Sequence, residues 1–449
     1  MTALDTLVVA TALTTIRLDL RASVEQLEWT VNAYNLSFAV LLMTAAALGD
    51  RLGRRRMFAA GLVLFSLASA ACALAPSVGW LIAARAVQGA GAALVTTLAM
   101  ALVSAAFPPE RRGAALGMFF ALTGLAVASG PLVGGAVAEG LAWQWIFWIN
   151  VPLGLVVVPL VLARVPESFG PDRGLDLGGL ALVTGGVLGL VWGLVRGNSS
   201  GWGSAEVVAS LALGALLLVA FVRWELRVRS PMLPMAFFRS RAFSAGNAAI
   251  FLVLGSLFTG VFFLAQFMQT GLGHGPLDAG LRLLPWTATL FFVAPVAGKL
   301  VDRFGERIFM TLGPLLQATG MGWIALVAHA GMAYGELVPP LIIAGVGVSM
   351  SFPAAQNSVV SSVPPEAIGK ASGVNSTMRE LGGVFGIAVS VAVFASAGSY
   401  ASPVAFSDGF SAAMGVSAGL SLLASFAGAW LPGRRRELIT ATPALEGGS

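Results

Sequence analysis

Long apolar blocks alternate along this chain with short stretches that hold most of its charge. A helix of about 20 apolar residues crosses a bilayer, and by that measure the pattern predicts fourteen spans, numbered here in chain order. Spans 1 to 6 cover 1–16, 29–48, 57–75, 79–104, 113–138 and 145–163. Spans 7 and 8 follow at 177–195 and 205–222, and spans 9 to 14 at 242–268, 278–299, 308–328, 336–360, 369–395 and 409–431.

The polar stretches show that the six-two-six grouping is a duplication. GDRLGRRR at 49–56 returns as VDRFGER at 301–307, so that Asp50 and Asp302 are 252 positions apart. PPERRGAALG at 108–117 returns as PPEAIGKASG at 364–373, with an offset of 256. Two loop pairs at nearly one offset mark a repeated unit. The predicted architecture is an all-α integral membrane protein: a six-helix bundle at 1–164, a linker with two extra helices at 165–240, a second bundle at 241–431 and a polar tail at 432–449.

Composition agrees with the pattern, being 57% hydrophobic and 10% charged, against about 45–50% and about 25% for soluble domains. A single cysteine, Cys72, lies within an apolar run, which excludes an internal disulfide or a cysteine metal site. The net charge of +5 does not point to nucleic acid, because the arginines lie in short loops between spans. Of the 26 Lys and Arg, twenty fall on the side of Arg51, the tail included, and four (Arg17, Arg21, Arg196 and Arg282) on the other. The positive-inside rule then makes the Arg51 side and both termini cytoplasmic, in a multi-pass protein of the cytoplasmic (inner) membrane. No removable signal peptide is visible.

The two remaining cations, Arg85 and Arg379, lie inside spans. A charge at the centre of a span costs roughly 2.5–3.5 kcal/mol on insertion scales and is a functional candidate by default. Asp5 precedes Ile16 by eleven residues, roughly 16 Å below the outer surface, and Arg85 lies about 10 Å inside the outer end of span 4, within reach of it. Such a pair serves either as a proton-carrying site or as a permanent lock between spans 1 and 4. Arginine itself keeps its proton. Only four residues precede Asp5, which predicts that the natural chain begins about six to ten residues upstream, or else that the first helix is truncated. Arg379 and Glu380 form a second site, roughly 15 Å into span 13; as neighbours they point about 100° apart, so one partner cannot face both. Glu139, at the outer end of span 5, is a further carboxylate, placed where solvation makes it cheap.

Six motifs in order, ALDTLVVATAL, GDRLGRRR, LIAARAVQGAGAA, SGPLVGG, WQWIFWINVPLG and the central helix pair, resemble the major facilitator superfamily and, within it, the fourteen-helix drug:proton antiporters. The resemblance covers nearly the whole chain and implies proton-driven efflux by alternating access. It implies coupling by Asp5 and Arg85, and an antiport motif at Gly130, Pro131, Gly134 and Gly135, where the family's preceding glycine is replaced by Ala126. It also implies a gate at Gly49, Asp50, Arg51, Gly53 and Arg54. In the copy, Asp302, Arg303 and Gly305 recur but Glu306 stands where Arg54 does, which puts an equal role for the second loop in question.

The residues have plainer readings as well. Gly49 reads as the stop of span 2, with Asp50 at the positive end of the next helix. Small residues four apart, Ala126, Gly130, Gly134 and Ala138 in span 5 and Gly382, Gly386 and Ser390 in span 13, allow either sliding or ordinary close packing. Pro131 predicts a bend. Trp143, Trp145 and Trp148 read as an interfacial belt. A cavity between the bundles would draw on Asn32, Tyr34, Asn35, Gln88, Gln266, Gln269, Gln356 and Asn357, with Phe263 and Trp286 for apolar or cation–π contact; helix-to-helix bonding explains any one of them equally well.

Together these features predict a proton-coupled multidrug antiporter for amphipathic, often cationic small molecules, with a dedicated exporter of one antibiotic, lipid or siderophore as the alternative. Its partners would be cargo, protons and membrane lipid, with the chain a monomer and no nucleic acid bound. No phosphate-binding glycine loop occurs, so a proton gradient replaces any cofactor. The absence of a carboxylate cluster or a nucleophile with its base predicts neither a metal nor an enzyme.

Overall fold

The computed structural model describes residues 2, 5, 9, 16, 19–22, 24–140, 142–170, 176–228, 231, 233–364 and 367–433; of these, 24, 25, 27, 28, 109, 110, 127–140, 276 and 277 are described by backbone alone. Every regular element among them is helical, the form in which a segment satisfies its own backbone groups inside lipid. Twelve helices among the described residues are long and apolar enough to cross a membrane. Span 5 adds the 32-residue helix Pro109–Gly140. Span 1 is represented by Thr2, Asp5, Val9 and Ile16, all helical, and the tail beyond Gly433 lies outside the described residues.

Helix ends are set by capping groups that replace the missing backbone partners. Ser77, Asp176, Ser204, Ser240 and Ser402 each accept from the backbone N–H three positions on. The turn after span 2 differs from the sequence reading. Its helix runs Val24–Leu52, through Gly49 and Asp50, and stops at Gly53, where φ is 105°. Asp50 therefore closes one helix rather than opening the next. Gly49 serves packing instead, since a Cβ there would overlap Leu98 of span 4. In the copy, Gly305 takes the same role with φ 85°, between Thr289–Phe304 and Glu306–Val327.

Span 10, read as one helix over 278–299, is three pieces: Pro276–Arg282, Leu284–Thr287 and Thr289–Phe304. Pro285 has no N–H for the carbonyl four residues back, and tight bonds from Leu283 N to Gly280 O and Trp286 N to Leu283 O carry the chain through. Span 6 likewise divides into Trp145–Trp148 and Asn150–Arg164, with Pro152 unable to bond the carbonyl of Trp148.

Spans 2, 3, 4 and 6 pack on one another, as do spans 9, 11, 12, 13 and 14. Between these groups runs a seam, where span 5 meets span 10 and span 2 meets span 13. Close approach along it is set by small residues: a Cβ on Gly117 would come within 2.5 Å of Ala294 O, and one on Gly373 within 2.5 Å of Ala46 Cβ. The stripe Gly382, Gly386 and Ser390 faces away from the seam. Added Cβ atoms at the two glycines would overlap the carbonyls of Phe251 and Gly255 of span 9, and Ser390 Oγ takes Thr259 Oγ1 at 3.3 Å. It is a packing contact within one group.

The extra pair, Leu177–Ser200 and Ala205–Glu225, interlocks through Gly189 and Gly214. Span 7 then covers one side of the seam. Its Trp192 lies 5.2 Å from the ring of Trp29 in span 2, Thr184 bonds Thr44 at 3.2 Å, and Asn198 donates to Ala388 O of span 13 at 3.2 Å. The belt reading fails for Trp143, which is buried and donates to Asp19 Oδ2 at 2.7 Å; Trp145 is exposed.

Candidate functional site

Four spans converge on one buried carboxylate. Asp5 of span 1 accepts from Arg85 Nη1 at 2.5 Å, Gln88 Nε2 at 2.9 Å and Asn150 Nδ2 at 3.3 Å. Ser69 of span 3 ties the amides together, taking Gln88 Nε2 at 2.7 Å and Asn150 Nδ2 at 3.1 Å. Arg85 bonds Gln88 Oε1 at 2.6 Å and Thr30 O at 3.2 Å, with its guanidinium 4.2 Å from the ring of Tyr34. Asp5, Ser69, Arg85, Gln88 and Asn150 are all at most 2% exposed, so the pair sits where its mutual attraction is least screened. Gln88 and Tyr34, read as cavity residues, instead belong to this cluster. Asn150 and Ser69 were not singled out from sequence; an amide inside the apolar run WIFWINVPLG is the signal that could have found the first.

The duplicated loops meet crosswise. Asp302 accepts from the backbone N–H of Gly113 and of Ala114, each at 3.0 Å, at the start of span 5. Asp50 lies against Gly369, where an added Cβ would overlap its carboxylate, at the start of span 13. Each aspartate of one motif pair thus docks on the opposite half's copy of the other pair, within the first two turns of a helix. Arg54 is buried and donates to Asp50 Oδ1 at 2.8 Å. Glu306, its counterpart, takes Asn357 Nδ2 at 2.7 Å, so the charge reversal leaves the docking of Asp302 intact. Gly53, at the turn, leaves room for Glu167, which accepts from Arg55 N at 2.8 Å and pairs with the side chains of Arg55 and Arg56. Arg51 is exposed, and the guanidinium of Arg303 lies 5.3 Å from the ring of Phe304. Across the Arg51 side, the two halves are closed on each other.

Arg379 and Glu380 both lie on the seam and diverge. Arg379 donates to Met100 Sδ at 3.7 Å, with its guanidinium 5.4 Å from the ring of Phe120 and 5.5 Å from that of Phe352. Glu380 continues the stripe of Gly369 and Gly373 toward span 2 by helical spacing and has no hydrogen bond or ion pair among the described residues.

The remaining predicted residues separate. Asn32 and Asn35 are half-buried, and Asn35 shares a helix face with Ala39 and Met43, which pack in one cluster with Val374 and Leu381 of span 13. Gln356 donates to Ser372 Oγ at 3.5 Å and Asn357 to Glu306, both tying elements of the second half together. Phe263 and Trp286 are buried in a core with Phe267, Phe394 and Phe410, inside the second half. Gln266 accepts from Tyr400 Oη at 2.7 Å, and Gln269 is exposed and bonds Ala265 O. Gly130, Pro131, Gly134, Gly135 and Glu139 have helical backbone within Pro109–Gly140, with their side chains outside the described residues. Among the described residues no group of acidic, histidine or cysteine side chains could hold a metal.

A profile of the Major Facilitator Superfamily matches residues 1–387 and 249–447. The chain is 35% identical over 392 residues to the Tetracenomycin C resistance and export protein of Streptomyces glaucescens, a match covering 87% of this chain and 72% of that protein. It is also 35% identical over 394 residues to the Multidrug resistance protein Stp of Mycobacterium tuberculosis (strain CDC 1551 / Oshkosh), covering 87% and 73%. Among solved structures, the proton:xylose symporter XylE is similar in fold, with a TM-score of 0.64 and 16% identity over 94% of this chain and 91% of that one.

Proposed function

The chain belongs to the major facilitator superfamily, and from that premise we propose that it is a proton-coupled exporter of amphipathic small organic molecules. Cargo leaves the cytoplasm as protons enter, and the Arg51 side, with both termini, faces the cytoplasm of the inner membrane. The relatives named for multidrug resistance and for export of tetracenomycin C support efflux. The observation that carries proton coupling is the Asp5 cluster, a membrane-buried carboxylate held by donors from spans 4 and 6. A proton on Asp5 removes the charge that these donors hold, and frees span 1 to shift against spans 3, 4 and 6.

Alternating access follows from the crossed docking. With Asp50 on Gly369 and Asp302 on Gly113, the cytoplasmic side is shut; withdrawing both carboxylates opens it. The chain works as a monomer, without a cofactor and without catalysing a covalent reaction. Multidrug export is the first reading. The second, a dedicated product exporter, draws on the relative named for a single antibiotic.

The test is uptake of a panel of fluorescent dyes and antibiotics into energised inverted vesicles containing the protein. Accumulation of several unrelated compounds that collapses with an uncoupler is the expected result. Uptake of a single compound selects the dedicated exporter, and accumulation indifferent to the uncoupler overturns proton coupling.

A further inference from the structure

The export reading leaves the charge of the cargo open, and the seam carries an observation that bears on it. Asp5 and Arg85 neutralise each other inside the membrane. Arg379 makes no ion pair among the described residues: its contacts there are the thioether of Met100 and the rings of Phe120 and Phe352. A guanidinium cannot shed its charge, and an unpaired one at membrane depth is costly to keep. Glu380, next in the chain, acts on it through space but forms no ion pair with it, since helical spacing turns that carboxylate toward span 2.

Resting on that export reading, we propose that Arg379 is the recognition point for an acidic group on the cargo, and that the seam selects flat aromatic acids over cations. The cage around Arg379 draws on both halves, with Met100 and Phe120 from the first and Phe352 from the second, so it lies where alternating access exposes it. Arg379 is only half-buried, as are Phe119, Phe258 and Met378, which pack against the cluster that holds Met100, Phe120 and Phe352. Phenyl rings near a guanidinium satisfy its cationic character weakly, and a thioether is a poor acceptor. Its N–H groups, a rigid planar fork, match a carboxylate or sulfonate in two parallel bonds. The aromatic and Met side chains supply the flat, adaptable apolar surface that a ring system needs. A cationic cargo would meet a fixed like charge in a region of weak screening.

The experiment is equilibrium binding to the full chain in lipid nanodiscs, read by quenching of tryptophan fluorescence. The probes share one ring system: 9-anthracenecarboxylate, 9-anthracenecarboxamide and 9-(aminomethyl)anthracene. The unaltered protein should bind in the order acid, amide, amine, with the acid about tenfold tighter than the amide, as one charge-assisted pair allows. Arg379→Gln should abolish that preference while keeping amide binding, and Arg379→Lys should retain part of it. An amine bound as tightly as the acid, no acid binding at all, or an Arg379→Gln variant that keeps the full preference overturns the proposal. If Arg379→Gln does not fold, the order measured on the unaltered protein decides. Binding needs no gradient, so a protein that prefers the acid yet fails to pump sinks the export reading alone; one that pumps but prefers the amine sinks this inference alone.

Discussion

Removing Asp302 should open the Arg51 side of the protein. Its carboxylate accepts two backbone N–H groups, from Gly113 and Ala114, at 3.0 Å each. Hydrogen bonds to a charged group contribute about 1.5–3 kcal/mol each. Asp302 is half-buried, and water can reach the freed N–H groups when the halves part. The net loss for Asp302→Ala is therefore set below the roughly 3 kcal/mol that two such bonds would give at the low end, at about 2 kcal/mol, which shifts the closed-to-open ratio by about 30-fold. Asp302→Asn keeps one acceptor oxygen without the charge and should shift it by about fivefold, roughly 1 kcal/mol. Spin labels at Arg111 and Phe304, both exposed beside the contact, report the change as a distance distribution, with Cys72 first replaced by Ser. A second, longer population is expected in both variants, larger in Asp302→Ala. A distribution unchanged in Asp302→Ala, or shifted more by Asn than by Ala, would show that glycine packing alone holds the closure.

Three further outcomes follow from the packing. Arg85→Leu leaves Asp5 buried without its cation and should lower stability in detergent by about 3–5 kcal/mol, whereas the double change Asp5→Leu with Arg85→Leu should recover part of that loss; thermal unfolding of the two variants compares them. Gly386→Val has no room beside the carbonyl of Gly255 and should cost about 1–3 kcal/mol by overpacking, read in the same melt. Glu167→Gln removes ion pairs to the half-buried Arg55 and the exposed Arg56 and should change the melt by no more than about 1 kcal/mol.

Much of this fold is legible in the sequence, because lipid permits little besides helices and the apolar blocks from span 2 onward reappear as helices. The duplicated loops were also readable, but not that they dock crosswise: a repeat says which segments are equivalent, not which ones touch. The stop at Gly49 was misplaced for a related reason. Hydropathy falls at Gly49 and Asp50, yet a helix bonds internally and continues past the apolar edge until Gly53 turns it. Asp5 and Arg85 were identifiable by the cost of charge at their depth. Asn150 and Ser69 were not, since a neutral polar side chain in an apolar run carries no sign of which neighbour it meets. Phe263 and Trp286 show the converse, two aromatic side chains with cavity chemistry that the packing of spans 9, 11 and 12 encloses within one half.

The account rests most heavily on Asp5 as the site where proton and cargo movements are joined. The direct measurement compares two modes of transport in the same inverted vesicles, proton-driven accumulation and gradient-free exchange of labelled for unlabelled cargo, for the unaltered chain and for Asp5→Asn. Asp5→Asn is expected to lose accumulation and keep exchange, since alternation remains while the proton has no carboxylate to ride. Accumulation that survives Asp5→Asn and still collapses with an uncoupler would contradict the account, and would move the proton to Glu380 or Glu139.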